Sequence, residues 1–222
     1  MKTQPEYLKD FPEKRGTTTQ DSIRAEALKI ALDTRKFEID LYWRRAAYFW
    51  AFIALAFAAH FEVVKNCKKL MGMQDDLILL SAGLGLFMSL CWYCVGKGSK
   101  YWQENWEKHV VWLEDDVIGP LYKTGLAYKH GKASFIFPTK PYPFSVSKIN
   151  QLLSFAICLV WTFLYTTHFL RIINCASKHK ESAIVITALL ILLIILLFRI
   201  CKTECYKDSD SGEEKMYCSS AD

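Results

Sequence analysis

Four long apolar runs leave this chain few folds to choose from. Ala46–Val64, Leu77–Val95, Leu152–Ile173 and Ala183–Ile200 each approach the roughly 20 residues that a helix needs to cross a ~30 Å hydrocarbon core. The formal charges inside these runs are Glu62, Arg171 and Arg199, each close to a run's end. A soluble domain of 222 residues would need long helices with no polar face to give the same pattern, which is rare at this size. The expectation is an all-α integral membrane protein with four transmembrane helices arranged as two hairpins, the first extended into a cytoplasmic helical stalk. The first 22 residues mix acids, bases and polar groups and hold no apolar core, so no cleaved signal peptide is expected.

Charge supplies the orientation. The formal net charge is +5, yet the bases are unevenly placed: residues 1–45, the segment 96–151 and the tail from Arg199 hold 22 Lys and Arg, while the two short connections hold six. By the positive-inside rule both termini and the central segment are cytoplasmic. The same asymmetry accounts for the positive charge without nucleic acid, and no Lys/Arg cluster with interleaved aromatics argues for DNA or RNA.

Five segments follow. Residues 1–17 carry Pro5, Pro12 and Gly16 and read as a flexible N-terminal segment. Residues 18–122 read as the first transmembrane hairpin with cytoplasmic helical extensions. Thr17-Thr18-Thr19-Gln20 fits a capping box, and Asp21 suits a first turn. Ile23, Ala27, Ile30, Thr34, Phe37 and Leu41 then recur at 4-3-4-3-4 spacing as one apolar stripe. Ser99–Tyr122 reads as the matching helix, with Trp102, Trp106, His109 or Val110, Leu113, Val117 and Leu121 on one face. Each overrun is ~25 residues or ~37 Å long, so the stripe around Ile30, Phe37 and Leu41 is expected to pack on Trp102, Trp106 and Leu113. Residues 123–150 form a connector broken by Gly125, Gly131, Pro138, Pro141 and Pro143. Residues 151–200 form the second hairpin, with Ser147 as a cap before it, and 201–222 a polar cytoplasmic tail, disordered across Asp208–Glu214.

Few motifs suggest chemistry. Ser81, Gly85 and Ser89, four apart, would let helix backbones approach closely. The plainer partner is the first span, where Ala47, Ala51, Ala54 and Ala58 are also small; the sharper one is another subunit. Gly96-Lys97-Gly98-Ser99-Lys100 lacks the first glycine and the strand of a phosphate loop and reads as a bend at the membrane surface. His60 and His168 fall at similar depths near the outer ends of their spans, with Glu62 and Arg171 near that level. They form either an intramembrane polar cluster or, more plainly, side chains wetted at the interface. Of eight cysteines, Cys91 and Cys94 make a C-x-x-C inside a span and read as packing residues. Cys67 and Cys175 sit in the two external connections and are a possible disulfide, or two free thiols. No zinc spacing, Ser/His/Asp arrangement or paired carboxylates can be argued, so no cofactor, no metal and no enzyme activity are expected.

Tyr42-Trp-Arg-Arg-Ala-Ala-Tyr-Phe-Trp-Ala-Phe-Ile-Ala54, Gly98–His109, Gly119–Thr124 and Ser145–Asn150 together resemble the RipA family of small octameric bacterial inner-membrane proteins over roughly residues 20–175. The resemblance implies a homo-oligomer, an octamer, with a scaffold or envelope-homeostasis role and no catalytic residues to carry over. Its partners would be itself, membrane lipids and a cytoplasmic protein met through the stalk or tail. The tail after Ile200 lies outside the resemblance. The competing reading is an oligomeric pore or channel, such as a membrane-permeabilising defence effector. Its candidate lining is thin: Ser81, Ser89, Thr162, Thr166 and Thr167.

Overall fold

A computed structural model describes residues 4–9, 23–66, 74–125, 142–174, 179–202, 205–208 and 215–218. Among these residues five helices occur in order: α1 (Gln4–Lys9), α2 (Ile23–Lys65), α3 (Gln74–Leu113), α4 (Val146–Asn174) and α5 (Lys180–Ile200). Two short strands, β1 (Cys205–Asp208) and β2 (Lys215–Cys218), pair antiparallel in the tail, with Cys205 opposite Cys218. Helices α2 to α5 are each long and apolar enough to cross a membrane. Helical backbone satisfies its own hydrogen bonds, which is why apolar runs take this form in lipid. The fold is therefore all-helical in its membrane part, as the four runs require.

Three short elements depart from the sequence expectation. Helix α1 forms within the segment read as irregular, with Pro5 in its first turn, where a missing N–H is tolerated. The β1–β2 pairing reaches Asp208, at the edge of the acidic run read as disordered. Helix α4 begins at Val146, so Ser147 lies inside its first turn and does not precede it. The Thr17–Gln20 capping box lies outside the described residues.

The chain divides into two compact units. The first comprises residues 1–41, 99–146 and 203–222; the second comprises 42–98 and 147–202. In the first unit Leu28 and Ala31 of α2 meet Val110 and Leu113 of α3, all nearly inaccessible to solvent, with Leu8, Ala27, Trp106 and Val117 packed around them. Burying each large side chain stabilises by about 1.5–3 kcal/mol. Arg24 pairs with Asp116 at 2.7 Å, and Arg35 lies over the Tyr122 ring at 5.3 Å.

This packing corrects the expected stripe. Ile30 and Phe37 are 56 % and 60 % exposed, so they do not meet the tryptophan-bearing helix. Leu41 and Trp102 are half-buried, while Trp106 and Leu113 do pack in this core. The buried face of α2 lies one residue, or ~100°, round the helix from the predicted one. Both faces carry apolar residues at helical spacing, so periodicity could not choose between them. Helix α3 also ends nine residues early, at Leu113 instead of Tyr122. The Glu114 side chain, fully buried, turns the chain: its carboxylate accepts the backbone N–H of Tyr122 at 2.6 Å and of Lys123 at 3.1 Å. Gly119, at φ 77°, takes a left-handed conformation that costs other residues more, and Pro120 follows it. Leu121 is consequently 68 % exposed and no part of the stripe.

In the second unit the core is Ala56, Leu79, Ala82, Leu86, Trp161, Tyr165, Ile172, Ala183 and Leu190. The rest of α5 turns large apolar side chains outward, among them Ile184, Val185, Leu189 and Leu192. In water such a surface would be untenable; in a bilayer, acyl chains cover it.

Candidate functional site

The densest polar constellation in the second unit surrounds His60, a residue only 1 % exposed on an otherwise apolar stretch of α2. Its Nδ1 lies 2.9 Å from the Ser81 hydroxyl on α3. That hydroxyl donates its single proton to the Ile78 carbonyl, also at 2.9 Å. The Ser81 oxygen then accepts from His60, which places a proton on Nδ1. The His168 ring of α4 stands 5.8 Å away, centroid to centroid, and the Trp161 indole 5.5 Å away.

Trp161 organises the rest. It is fully buried, stacks on Phe57 at 4.3 Å and lies flat over Gly85. A Cβ added at Gly85 would stand 2.4 Å from the indole, so only glycine leaves room for this ring. Its Nε1 is buried with no hydrogen-bond partner among the described residues.

The three small residues of α3 thus face inside the chain. Ser81 meets His60, Gly85 meets Trp161 and Ser89 is fully buried, bonding the Leu86 carbonyl at 2.8 Å. Gly85's neighbour is α4, however, and not the alanines of the first span: Ala47, Ala51, Ala54 and Ala58 are all exposed. A flat indole filled the gap that small-to-small packing would have closed. His60 and His168 do come together, and Arg171 lies within electrostatic reach of His168, whereas Glu62 does not join them. Glu62 is exposed and accepts from Asn66, and Arg171 pairs with Asp75 of α3 at 2.8 Å. Cys67 and Cys175 lie outside the described residues. Cys91, Cys94, Cys158 and Cys201 are free thiols.

Sequence reasoning missed two further polar ties. Asp76, in the first turn of α3, accepts from Ser182 at 2.6 Å and lies 3.1 Å from His179 Nδ1, joining the starts of α3 and α5. Acids at a helix N-terminus suit its dipole, and the pair Asp75-Asp76 beside an apolar run was the available signal. In the same unit Asn150, buried although polar, donates to the Tyr42 hydroxyl at 2.8 Å, which donates in turn to the Ser147 carbonyl at 3.3 Å. An Asn immediately before a span was visible; its partner 108 positions away was not.

Chemically the centre is a buried, aromatic-walled polar node. His60 cannot act as a base toward Ser81, because the nitrogen facing that hydroxyl already carries the proton. Among the described residues no group of three or more His, Cys, Asp or Glu converges as metal ligands.

Compared with known proteins, residues 25–170 match the model of a family described as the octameric membrane protein family. No curated protein and no solved structure matches the chain.

Proposed function

The chain belongs to the octameric membrane protein family, and on that premise we propose that this oligomeric membrane protein is a non-enzymatic scaffold of a bacterial inner membrane, with a role in envelope homeostasis. The finer likeness to the RipA family, carried by the aromatic motifs around Trp43, Trp50, Trp102 and Trp106, supports the envelope role. The observation that carries the scaffold reading is how the polar side chains inside the spans are spent. Ser81, Ser89, Thr162, Thr167 and Thr187 each donate to a carbonyl of their own helix, at 2.7–2.9 Å. His60 faces inward with its proton committed to Ser81. A catalytic site would keep a nucleophile or base free to act, and the outward-facing hydroxyls Thr162, Thr166 and Thr167 are a thin set beside what a water-filled pore calls for.

The proposed topology places both termini and the segment 96–151 in the cytoplasm. Reporter fusions after Gly125 and at residue 205 should read cytoplasmic, and fusions at Asn66 and Ser177 external. For the function, cells lacking the protein should lose resistance to envelope stress, and purified protein in planar bilayers should carry no current. Single-channel conductance from wild-type oligomer would replace the scaffold by the pore. Unchanged stress resistance in the deletion strain would remove the envelope role.

A further inference from the structure

The spacing of α2 and its exposure conflict unless something else covers the helix. Ile23, Ala27, Ile30, Thr34, Phe37 and Leu41 alternate steps of four and three. That is the 3.5-residue period of a coiled-coil seam, distinct from the broader stripe of a helix packed once into a globular core. Yet the first unit's core is served by Leu28 and Ala31 on the neighbouring face. Two large side chains of the seam, Ile30 and Phe37, stand 56 % and 60 % exposed, seven residues and two turns apart on one line.

Lipid does not cover them. Arg24, Glu26, Lys29, Asp33, Arg35, Lys36, Glu38 and Asp40 are interspersed with the seam, so this stretch lies outside the hydrocarbon. What the family does supply is more copies of the same chain, and its match begins at residue 25 and includes the whole exposed pair. We infer that the Ile30–Phe37 face of α2 is a subunit interface and that its occupant is a second copy of this chain.

The geometry of the assembly restricts this further. The Lys and Arg asymmetry gives every copy one orientation in the bilayer. Identically oriented copies are related only by axes along the membrane normal, so the contact closing a ring is heterologous: one patch meets a different patch on the neighbour. The inference rests on the octameric family and not on the scaffold role.

The test is assembly of the full chain in mild detergent. Ile30→Gln with Phe37→Gln removes the apolar knobs, keeps good helix formers and leaves the Leu28, Ala31, Val110 and Leu113 core untouched. Octamer should fall at least tenfold by native mass spectrometry. Lys29→Gln with Lys36→Gln, exposed about 100° round the same helix from the seam and on the flank away from the core, should leave it unchanged. Should the first variant fail to fold, a photoreactive phenylalanine analogue at Phe37 of the otherwise wild-type chain gives the answer instead. Irradiation should yield a covalent dimer in which Phe37 is joined to a second copy of the chain. Octamer retained by the double variant, or adducts with lipid alone, would overturn the assignment. Wild-type chain that ran as monomer would overturn its premise before any variant was made, while leaving stress phenotypes to be judged separately.

Discussion

Gly85→Ala is the sharpest test of the second unit's packing. The new methyl would lie 2.4 Å from two carbons of the Trp161 indole and 2.6 Å from a third. Ordinary contact begins near 3.4 Å, so the ring must retreat by about 1 Å. It has nowhere to go: Phe57 stacks on it at 4.3 Å and the His60 ring stands at 5.5 Å. Overpacking of this kind costs about 1–3 kcal/mol, and the large required shift puts it at the upper end. Replacing a helical glycine by alanine returns at most about 1 kcal/mol. The net is a destabilisation of about 2 kcal/mol, read as a lower thermal midpoint of detergent-solubilised protein. Two other glycines calibrate it. At Gly83 the added methyl meets Tyr165 at 3.2 Å, an edge that can yield, and the substitution should be close to neutral. At Gly98 nothing lies within 4 Å, and alanine should stabilise by up to about 1 kcal/mol. Trp161→Phe shrinks the ring and removes no hydrogen bond, because Nε1 has no partner among the described residues. Combined with Gly85→Ala it should therefore cost less than the two singles added together, by a coupling of about 1 kcal/mol. Simple additivity, or a Gly85→Ala protein as stable as Gly98→Ala, would refute the reasoning.

Other substitutions probe the remaining ties. Glu114→Ala strips the acceptor from the N–H groups of Tyr122 and Lys123 and should cost about 1.5–3 kcal/mol, seen as faster tryptic cleavage at Lys123 in an otherwise assembled protein. Burial pushes the His109 imidazole below its usual value. The folded chain then binds fewer protons than the unfolded one just below pH ~6.5, so its stability is complete above that pH and declines as pH falls from there. His109→Asn should flatten this decline in thermal unfolding between about pH 7.5 and 5, and an unchanged slope would exclude His109 as its source. Asp76→Ala removes the acceptor shared by Ser182 and His179 and should raise amide exchange at the start of α5 well above that at its centre.

The spans were legible because lipid reads composition directly. A run of about 20 apolar residues admits one backbone solution, and Ala46–Val64 and its three counterparts all fall inside helices. Helix α2 was also legible as an unbroken continuation, since neither Gly nor Pro interrupts 23–45. What could not be read was which face goes inward. In α2 the Ile30–Phe37 stripe is the bulkier and the Leu28–Ala31 stripe the buried one, a choice made by the shape of α3 and not by hydrophobicity. The early end of α3 had its signal in Gly119-Pro120, but the carboxylate that makes the turn stands five residues upstream and looked like any surface acid. Around the polar node, His60 and His168 were found as a pair by depth alone. The indole between Gly85 and Phe57 was not found, because a tryptophan in a span is as often an interface anchor as a core residue.

The bond between His60 and Ser81 also bears on how the chain enters its membrane. The first apolar run is synthesised before the second, and alone it would present an imidazole to hydrocarbon with nothing to accept its proton. Histidine within a span is an obstacle to insertion until a partner removes it. Ser81 sits near the start of the second run, 21 residues on, and reaches His60 at a matching level. Such a bond is worth about 0.6–2 kcal/mol in a bilayer, enough to favour the two runs leaving the translocon as a pair. The bond thus favours the hairpin over the single helix as the unit of insertion.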